Sequence, residues 1–440
     1  MKKRIFTACV ILILCLQMLL QSACSFNKAI PAAVIGIESY QEKGVTITNK
    51  GNYFKVDVDF TCGLNHYEIG AALARGILKA VPNYEALIDS YLADNVTKYD
   101  YPNMIYRVDD MKPQLEDNYK QEIEGMASVF SGGKTSELRD DKLSEEEFYL
   151  FNLLPDVFRL TACSFVSVYG SRSETNKNIL ARNLDWFGGI TNQLPKIHSV
   201  VTMKYSDKKV CSIGFLGFMG ILTGFNDNKI FGAVMDSRSG APFSSIGKCS
   251  YTFDLRNVLE NKTTLNDAAE FMRSQERQYA VNHLICFADP ERSIVLENNF
   301  SGHGSDGQRV QRAIRTDSSK LNKDVTWGIS NAIGAVNSFI LYGNTDTHTP
   351  NDFNTLRWDN MKQQLLSKGS CVTFNQLKEV TSYNHGSPGT FNESGDLYNK
   401  LTLQMIVFEP ESNHLEIYYR PGNKIDNPIK PVFESISVFN

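Results

Sequence analysis

The segment from Thr161 to Trp186 carries a thiol, a guanidinium and a carboxylate that could together perform acyl chemistry. Its sequence is TACSFVSVYGSRSETNKNILARNLDW, with Cys163 opening a strand-like run and Arg182 and Asp185 lying on the return run. A hairpin centred near Glu174 would place Cys163 opposite roughly Asp185. Cross-strand neighbours approach to about 5 Å, so this hairpin predicts contact between the thiol and the carboxylate.

Arg182 fits the same hairpin less well. It lies three residues before Asp185, and an odd offset places two side chains on opposite faces of a regular strand. Only a bulge or a twist would turn Arg182 towards Cys163. If it does turn in, the cation favours the thiolate, which is the nucleophilic form of cysteine. The alternative is that Cys163 is an ordinary buried residue and that Arg182 and Asp185 form structural ion pairs.

The composition is that of a folded globular protein. The chain has 440 residues, of which 42% are hydrophobic and 21% are charged, enough for one large α/β domain or two ordinary ones. The net charge of −4 provides no basic field, which excludes nucleic-acid binding. The cysteines after residue 24 are scattered singly and the histidines form no HxxxH motif, so neither a metal site nor a disulfide-dense scaffold is expected.

The first 24 residues predict an export signal. A basic start from Lys2 to Arg4 precedes an apolar run from Ile5 to Leu20, which is short for a membrane span of about 20 residues. The following QSAC ends at Cys24 and resembles a bacterial lipoprotein signal, although Gln21 stands where that pattern has Leu. A lipidated Cys24, plain secretion and an uncleaved anchor stay open, and the expected location is extracellular or in the cell envelope.

Apolar periodicity predicts strands, then helices, then mostly strands. Strands are expected between about Ala33 and Phe60, and the spacing in HYEIGAALARGILKAV predicts an amphipathic helix. Helical patterns fill most of the segment up to Cys163, whereas strand patterns dominate after it. The later helices are predicted in YTFDLRNVLENKTTLNDAAEFMRSQ, TLRWDNMKQQLLSK and TFNQLKEVTSY. This order favours sheets covered by helices.

The runs TACSFVSV and ILARNLDW resemble the N-terminal-nucleophile (Ntn) hydrolases of the choloylglycine hydrolase, acid ceramidase and N-acylethanolamine acid amidase group, and also the penicillin acyltransferase-like branch. In several of these families a precursor cuts itself just before a Cys, which becomes the nucleophile. An Arg-Asn-x-Asp-aromatic motif follows, matched here by RNLDW from Arg182 to Trp186. The helix HYEIGAALARGI also resembles the pro-region of the acyltransferase-like branch.

Later segments resemble further parts of these families. LTGFNDNKIFGAVMD places Asn226 and Asp236 at substrate or oxyanion positions, and WGISNAIG makes Asn331 the candidate oxyanion-hole side chain, with Ser330 in place of the usual Thr. NTLRWDNMKQQL carries Arg357 where the family has an Arg at a helix start. Alternatively, Asn226 and Asn331 close turns, which is a common role of Asn, and Arg357 pairs with acidic residues on a helix surface.

The resemblance implies an α+β fold, a four-layer αββα Ntn-hydrolase sandwich preceded by a mostly helical pro-segment. The expected organisation is an export signal at 1–24, a pro-segment at 25–162 and a catalytic part at 163–440. Self-cleavage between Ala162 and Cys163 would leave two fragments that stay associated. No cofactor and no metal is expected.

The implied reaction is hydrolysis of a linear N-acyl amide, such as a ceramide, an N-acylethanolamine or a conjugated bile acid. The freed α-amine of Cys163, with an ordinary pKa of about 7.7–8.0, acts as base and acid for its own thiol. Asp185 holds the amine, Arg182 stabilises charge, and Asn331 donates to the oxyanion. The apolar segment from Gly214 to Phe225 is either a buried strand or the wall of an acyl pocket.

Two alternatives to this function stay open. The first is an acyltransferase of the penicillin acyltransferase-like type, which passes the acyl group to an amine. The second is an exported binding protein whose Cys163 is inert. A small-molecule N-acyl amide is the expected partner, with membrane association only through a lipidated or uncleaved N-terminus.

Overall fold

The computed structural model describes residues 35–158, 162–237, 244–300, 312–344, 352–389, 394–424 and 426–439. The predicted export signal and the lipidation candidate Cys24 lie outside the described residues. Within the described ranges, no helix is both long enough and apolar enough to cross a membrane.

The described part of the chain alternates strands and helices in the predicted order. Its α-helices are α1 (His66–Ala80), α2 (Tyr84–Asn95), α3 (Tyr101–Met111), α4 (Asp117–Ala127), α5 (Glu145–Val157), α6 (Tyr251–Asn261), α7 (Leu265–Arg273), α8 (Asp352–Ser367) and α9 (Phe374–Thr381). Its strands are β1 (Ser39–Glu42), β2 (Val45–Asn49), β3 (Phe54–Asp59), β4 (Ser164–Val168), β5 (Ile179–Asp185), β6 (His198–Lys204), β7 (Lys209–Phe215), β8 (Thr223–Asn226), β9 (Phe231–Asp236), β10 (His283–Ala288), β11 (Ser293–Asn298), β12 (Arg312–Arg315), β13 (Ala332–Val336), β14 (Thr402–Glu409), β15 (His414–Tyr419) and β16 (Glu434–Ile436).

These strands form two sheets. The first has ten strands in the order β1-β2-β3-β6-β7-β8-β9-β10-β11-β12, and the second has six in the order β13-β4-β5-β14-β15-β16. Strand β3 pairs in parallel with β6. Strands from before the predicted cleavage site therefore belong to the same sheet as strands from after it.

The two sheets pack face to face around one core. Phe165 of β4 stacks on Phe231 of β9 with ring centroids 6.3 Å apart, and Phe225 of β8 stacks on Phe408 of β14 at 4.3 Å. Helices α6 and α7 pack on the first sheet, and α8 and α9 pack on the second. The layers thus follow the order αββα, and the predicted fold class is confirmed.

Five helices, α1 to α5, lie between β3 and Cys163. Capping boxes begin two of them: Asn65 with Glu68 at α1, and Ser144 with Glu147 at α5. Helices α1 and α4 approach closely because glycine lies in their interface; a Cβ atom on Gly70 would lie 2.2 Å from the carbonyl oxygen of Glu122. These helices share one apolar core with the strands that follow residue 163, and their status as a cleaved pro-segment stays a prediction.

Candidate active site

Strands β4 and β5 form the predicted hairpin with a different register. Ser164 lies opposite Asn183, and Phe165 lies opposite Arg182, one residue away from the register expected for a hairpin centred on Glu174. A one-residue shift exchanges the faces of every side chain on a strand. Arg182 therefore shares the inner face of the sheet with the thiol, and the bulge expected from the sequence is not needed.

The thiol of Cys163 contacts the guanidinium of Arg182 inside the protein. Arg182 Nη2 lies 3.5 Å from Cys163 Sγ and donates to the carbonyl oxygen of Val234 at 3.0 Å. Both side chains are buried, Cys163 at 1% exposure and Arg182 at 0%. Burial raises the pKa of the Cys163 thiol, Arg182 lowers it and Asp185 raises it, with a net shift upward. The thiol of the uncut chain is therefore protonated at neutral pH.

Asp185 lies on the opposite face of β5, against the helices that cover the second sheet. Its Oδ1 accepts from Thr402 Oγ1 at 2.7 Å, and its Oδ2 accepts from Asn399 Nδ2 at 2.9 Å. Arg357 Nη1 lies 3.6 Å from Oδ2. Burial raises the pKa of the Asp185 carboxyl to about 6, although Arg357 and both hydrogen bonds lower it. The group is ionised at neutral pH and titrates in mild acid.

Arg357 of α8 reaches the peptide bond that precedes the thiol. Its Nη1 donates to the carbonyl oxygen of Ala162 at 2.8 Å and to that of Cys163 at 3.0 Å. Its Nη2 donates to Asn337 Oδ1 at 2.9 Å and to Asn354 Oδ1 at 2.6 Å, so the guanidinium is fixed in place. A cation on the Ala162 carbonyl polarises that group and stabilises negative charge on its oxygen during attack.

The structure does not bring Asn331 to this site. Strand β13 pairs with β4 so that Ala332, which follows Asn331, lies opposite Val168. Asn331 is therefore at the end of β4 remote from Cys163, about six residues and roughly 20 Å along the strand. There it adopts a φ of 53° and its side chain donates to Ser171 Oγ at 2.8 Å. This placement matches the turn-closing alternative and not the oxyanion role expected from the motif.

A different asparagine lies at the correct end of the same strand. Asn337 directly follows β13, at the end that pairs with Ser164. Its Nδ2 donates to the backbone oxygen of Asp236 at 2.6 Å, and its Oδ1 accepts from Arg357. Asn337 was not predicted from the sequence, because the motif match pointed to Asn331. A sequence signal for Asn337 is the AVNSF stretch at the other end of β13.

The two remaining candidates, Asn226 and Asp236, also lie in different places, one closing a turn and the other beside Asn337. Asn226 closes the turn between β8 and β9, since its Oδ1 accepts from the backbone nitrogen of Ile230 at 2.9 Å and its Nδ2 donates to the backbone oxygen of Leu259 at 2.9 Å. This is the turn-closing alternative again. Asp236 ends β9 on the side of the active site, where its backbone oxygen binds Asn337.

Helices from before residue 163 cover the site. Trp186, which follows Asp185, donates through Nε1 to Tyr91 of α2 at 2.7 Å. Tyr84 of the same helix donates to the carbonyl oxygen of Leu216 at 2.8 Å. The predicted acyl-pocket segment from Gly214 to Phe225 forms the end of β7, a turn and β8. Its turn helps to line an apolar cavity of about 30 Å³ on the face of the first sheet covered by α1, away from Cys163 and too small for an acyl chain.

No protein-family model and no curated protein matches the sequence, but several solved structures match the fold. A Caenorhabditis elegans N-acylethanolamine-hydrolyzing acid amidase ortholog aligns at 18% identity with a TM-score of 0.41, over 56% of this chain and 93% of that chain. A mutant of the conjugated bile acid hydrolase from Clostridium perfringens aligns at 14% identity with a TM-score of 0.35, over 63% and 97% of the two chains.

Penicillin V acylase from Agrobacterium tumefaciens aligns at 12% identity with a TM-score of 0.34, over 58% of this chain and 83% of that chain. Because these three TM-scores lie below 0.5, none of the three likenesses indicates a function for this chain.

Proposed function

We propose that this protein is a self-processing cysteine Ntn hydrolase that cleaves the linear amide bond of an N-acyl amide. The observation that carries the proposal is the pair of contacts around one peptide bond. Arg357 donates to the carbonyl oxygen of Ala162 at 2.8 Å, and the thiol of the next residue, Cys163, lies 3.5 Å from Arg182. A nucleophile, a polarised carbonyl and two cations thus surround the bond that self-cleavage requires.

Self-cleavage begins with attack of Cys163 Sγ on the carbonyl carbon of Ala162. The S–C bond forms as the C–N bond breaks, and the thiol proton ends on the departing nitrogen. Arg357 stabilises the oxygen that becomes negative during this step. Water then hydrolyses the thioester, which leaves a carboxylate on Ala162 and a free α-amine on Cys163.

The freed amine is the base that the uncut site lacks. Its ordinary pKa of about 7.7–8.0 allows it to take the thiol proton and later return it to the leaving amine. Asp185, already held by Thr402 and Asn399, is the anion available to the resulting ammonium. Arg182 favours the thiolate. Asn337 binds the same guanidinium as the Ala162 carbonyl, and it replaces Asn331 as our candidate amide side chain at the site.

The substrate class follows from the motif resemblance. That resemblance supports N-acyl amides, among them fatty-acyl amides such as ceramides or N-acylethanolamines, and conjugated bile acids. Export, proposed from the first 24 residues, would expose such an enzyme to amides at or outside the cell envelope. The two fragments would stay together because strands and helices from both share one sheet and one core.

Mass spectrometry of the purified protein, combined with a panel of N-acyl amides, tests this proposal. The expected result is two fragments, the second beginning at Cys163, and release of free acid and amine from at least one amide. An uninterrupted chain that still hydrolyses an amide would overturn the self-processing mechanism. A cleaved chain that binds amides without releasing product would overturn the hydrolase assignment.

A further inference from the structure

Before self-cleavage, the peptide group of Ala162 occupies the position that the acyl group of a substrate would take in the proposed site. In the uncut chain Ala162 is 1% exposed. Its carbonyl oxygen accepts from Arg357 Nη1 at 2.8 Å, and its N–H donates to the backbone oxygen of Asp185 at 3.1 Å. The site thus binds polar groups on both sides of the alanyl Cα.

The second of these contacts extends the β4–β5 ladder by one hydrogen-bonded pair, two residues before the start of β4. Ser164 pairs with Asn183, and the bond from Ala162 to the Asp185 carbonyl is the next rung. The following residue, Trp186, already donates its backbone N–H to Leu401 at 2.9 Å. When Ala162 leaves after self-cleavage, the buried Asp185 carbonyl loses this donor. A buried carbonyl oxygen without a hydrogen-bond donor is unfavourable. The Asp185 carbonyl therefore favours binding of a ligand that supplies an N–H at the position that Ala162 has left.

The chemistry of self-cleavage connects this rung to the substrate. Self-cleavage passes through a thioester between Cys163 Sγ and the acyl group of Ala162. An external substrate forms the same bond to the same sulfur. Its acyl group therefore takes the place of Ala162. The acyl carbonyl oxygen then faces Arg357, and the atom that corresponds to the Ala162 nitrogen faces the Asp185 carbonyl.

On the basis of the proposed function, we propose that the acyl subsite prefers an N-acylated α-amino-acyl group with a small side chain. The preferred substrates are then N-acyl-alanyl and N-acyl-glycyl amides rather than simple fatty amides. In the reaction, Cys163 Sγ bonds to the amino-acyl carbonyl as the C–N bond to the leaving amine breaks. That amine leaves with the proton held by the Cys163 α-amine. Water then splits the thioester, releasing the N-acyl amino acid and restoring the thiol.

A pair of isosteric substrates tests the proposed N–H contact. The first is the p-nitroanilide of N-hexanoyl-L-alanine, and the second is the p-nitroanilide of O-hexanoyl-L-lactic acid, in which an ester oxygen replaces the N–H. Both are assayed on the cleaved protein by release of p-nitroaniline, with mass spectrometry of the acid product and with Cys163→Ala as the blank. Dodecanoyl p-nitroanilide represents simple fatty amides.

The alanyl substrate is expected to show a kcat/KM at least about fivefold above that of the lactyl substrate, since the lactyl oxygen leaves the Asp185 carbonyl without a donor. It is also expected to exceed dodecanoyl p-nitroanilide. A smaller alanyl-to-lactyl ratio, or faster turnover of the dodecanoyl compound, overturns the subsite while the hydrolase proposal stands. A chain that remains uncut and hydrolyses none of the three overturns the proposed function and this inference with it.

Discussion

Two buried arginine clusters in this molecule differ in how completely their hydrogen bonds are satisfied. The Arg256 cluster joins α4 and α6 and consists of Arg256, Glu122, Glu260, Tyr119 and Tyr205. Arg256 donates to Glu122 at 2.6 and 2.9 Å and to Glu260 through Nε at 2.8 Å. Tyr119 donates to Glu260 at 2.6 Å, and the guanidinium lies 4.4 Å from the Tyr119 ring centroid.

The Cys163 cluster consists of Cys163, Arg182, Asp185 and Arg357 and has a different pattern. Arg182 uses a single nitrogen, Nη2, for both of its contacts. Its Nε and Nη1 are buried and have no hydrogen-bond partner in the described part of the chain. Buried polar groups are normally paired, and exceptions are concentrated at functional sites. All three nitrogens of Arg256 are hydrogen-bonded, whereas two nitrogens of Arg182 have no partner among the described residues, as expected if the Cys163 cluster has the role proposed above.

The pKa values of the carboxyl groups in the two clusters are shifted in opposite directions. Burial raises the pKa of Glu122, but Arg256 and His66 more than compensate, and the net pKa is lowered. Burial also raises the pKa of Asp185, and there the opposing effects of Arg357 and Thr402 are too small, so the pKa reaches about 6. Ionisation is thus favoured by the fold at Glu122 and disfavoured at Asp185.

Removing the thiol is expected to have the largest effect on the Cys163 cluster. Cys163→Ala leaves no nucleophile, so self-cleavage stops and amide hydrolysis falls by several orders of magnitude. Electrophoresis and mass spectrometry of the purified variant check the cleavage, and product release checks the activity. The matched control is Cys211→Ala, which removes another fully buried thiol, on β7. Loss of cleavage in both variants would mean that folding, not nucleophilicity, is being measured.

Exchanging arginine for methionine in each cluster separates chemistry from stability. Arg357→Met is expected to slow self-cleavage by about 10²–10³-fold, since it removes the donor on the Ala162 carbonyl. Arg256→Met leaves Glu122 buried without its cation and is expected to lower the free energy of unfolding by about 3–5 kcal/mol.

Time courses of fragment formation and urea denaturation measure the two effects on both variants. The Arg256 variant is expected to self-cleave at the wild-type rate wherever it remains folded. The distinction between the clusters is lost if Arg256→Met impairs cleavage in folded protein as strongly as Arg357→Met does.

Because the pKa values of Asp185 and Glu122 are shifted in opposite directions, the two groups are expected to change the free energy of unfolding with pH in opposite senses. The raised pKa of Asp185 contributes stability that is fully present below its unfolded value of about 3.9 and is lost as pH rises through about 6. The lowered pKa of Glu122 contributes stability that is present above about 4.3 and is lost as pH falls. Urea unfolding between about pH 2 and pH 7 in an uncut Cys163→Ala background measures both.

Adding Asp185→Asn to that background should remove a decline on the order of 2–3 kcal/mol between pH 4 and 6, since one pKa unit corresponds to about 1.4 kcal/mol. Adding Glu122→Gln should instead remove the loss of stability on the acid side. Parallel pH profiles for the background and the Asp185→Asn protein would show that the Asp185 carboxyl titrates normally.

The sequence predicted the order of strands and helices because their signals are local, and the four-layer arrangement was implied by the family resemblance. The four-residue apolar spacing of α1 and the alternation in β3 are visible in short windows. The parallel pairing of β3 with β6 was not predicted, since nothing local records which distant strands pair. The alternation of strand and helix was therefore accessible, and the long-range connections of the ten-stranded sheet were not.

The sequence indicated several residues that lie near Cys163, but it did not indicate how they are arranged there. The register of β4 and β5 could not be derived from a symmetric hairpin, because the connection contains a short 3-10 helix at Gly170–Arg172 and Ser173 bridges to Val372. That one-residue difference decides the face on which Arg182 lies. The position of Asn331 was not predicted for a related reason: a motif match does not say which end of a strand lies at the nucleophile.

The smallest expected effect tests this last point. Asn331 has a φ of 53°, which Gly adopts without strain, so Asn331→Gly should change the free energy of unfolding little and should leave the rates of self-cleavage and hydrolysis within about twofold. Asn337→Gly, the same substitution at the other end of β13, removes contacts to Arg357 and Asp236 and is expected to slow both reactions by at least tenfold, about 1.4 kcal/mol. Single-turnover cleavage and steady-state kinetics compare the two variants at matched folded fractions. A larger loss for Asn331→Gly would restore the motif-based assignment and would require β13 to deliver its other end to Cys163.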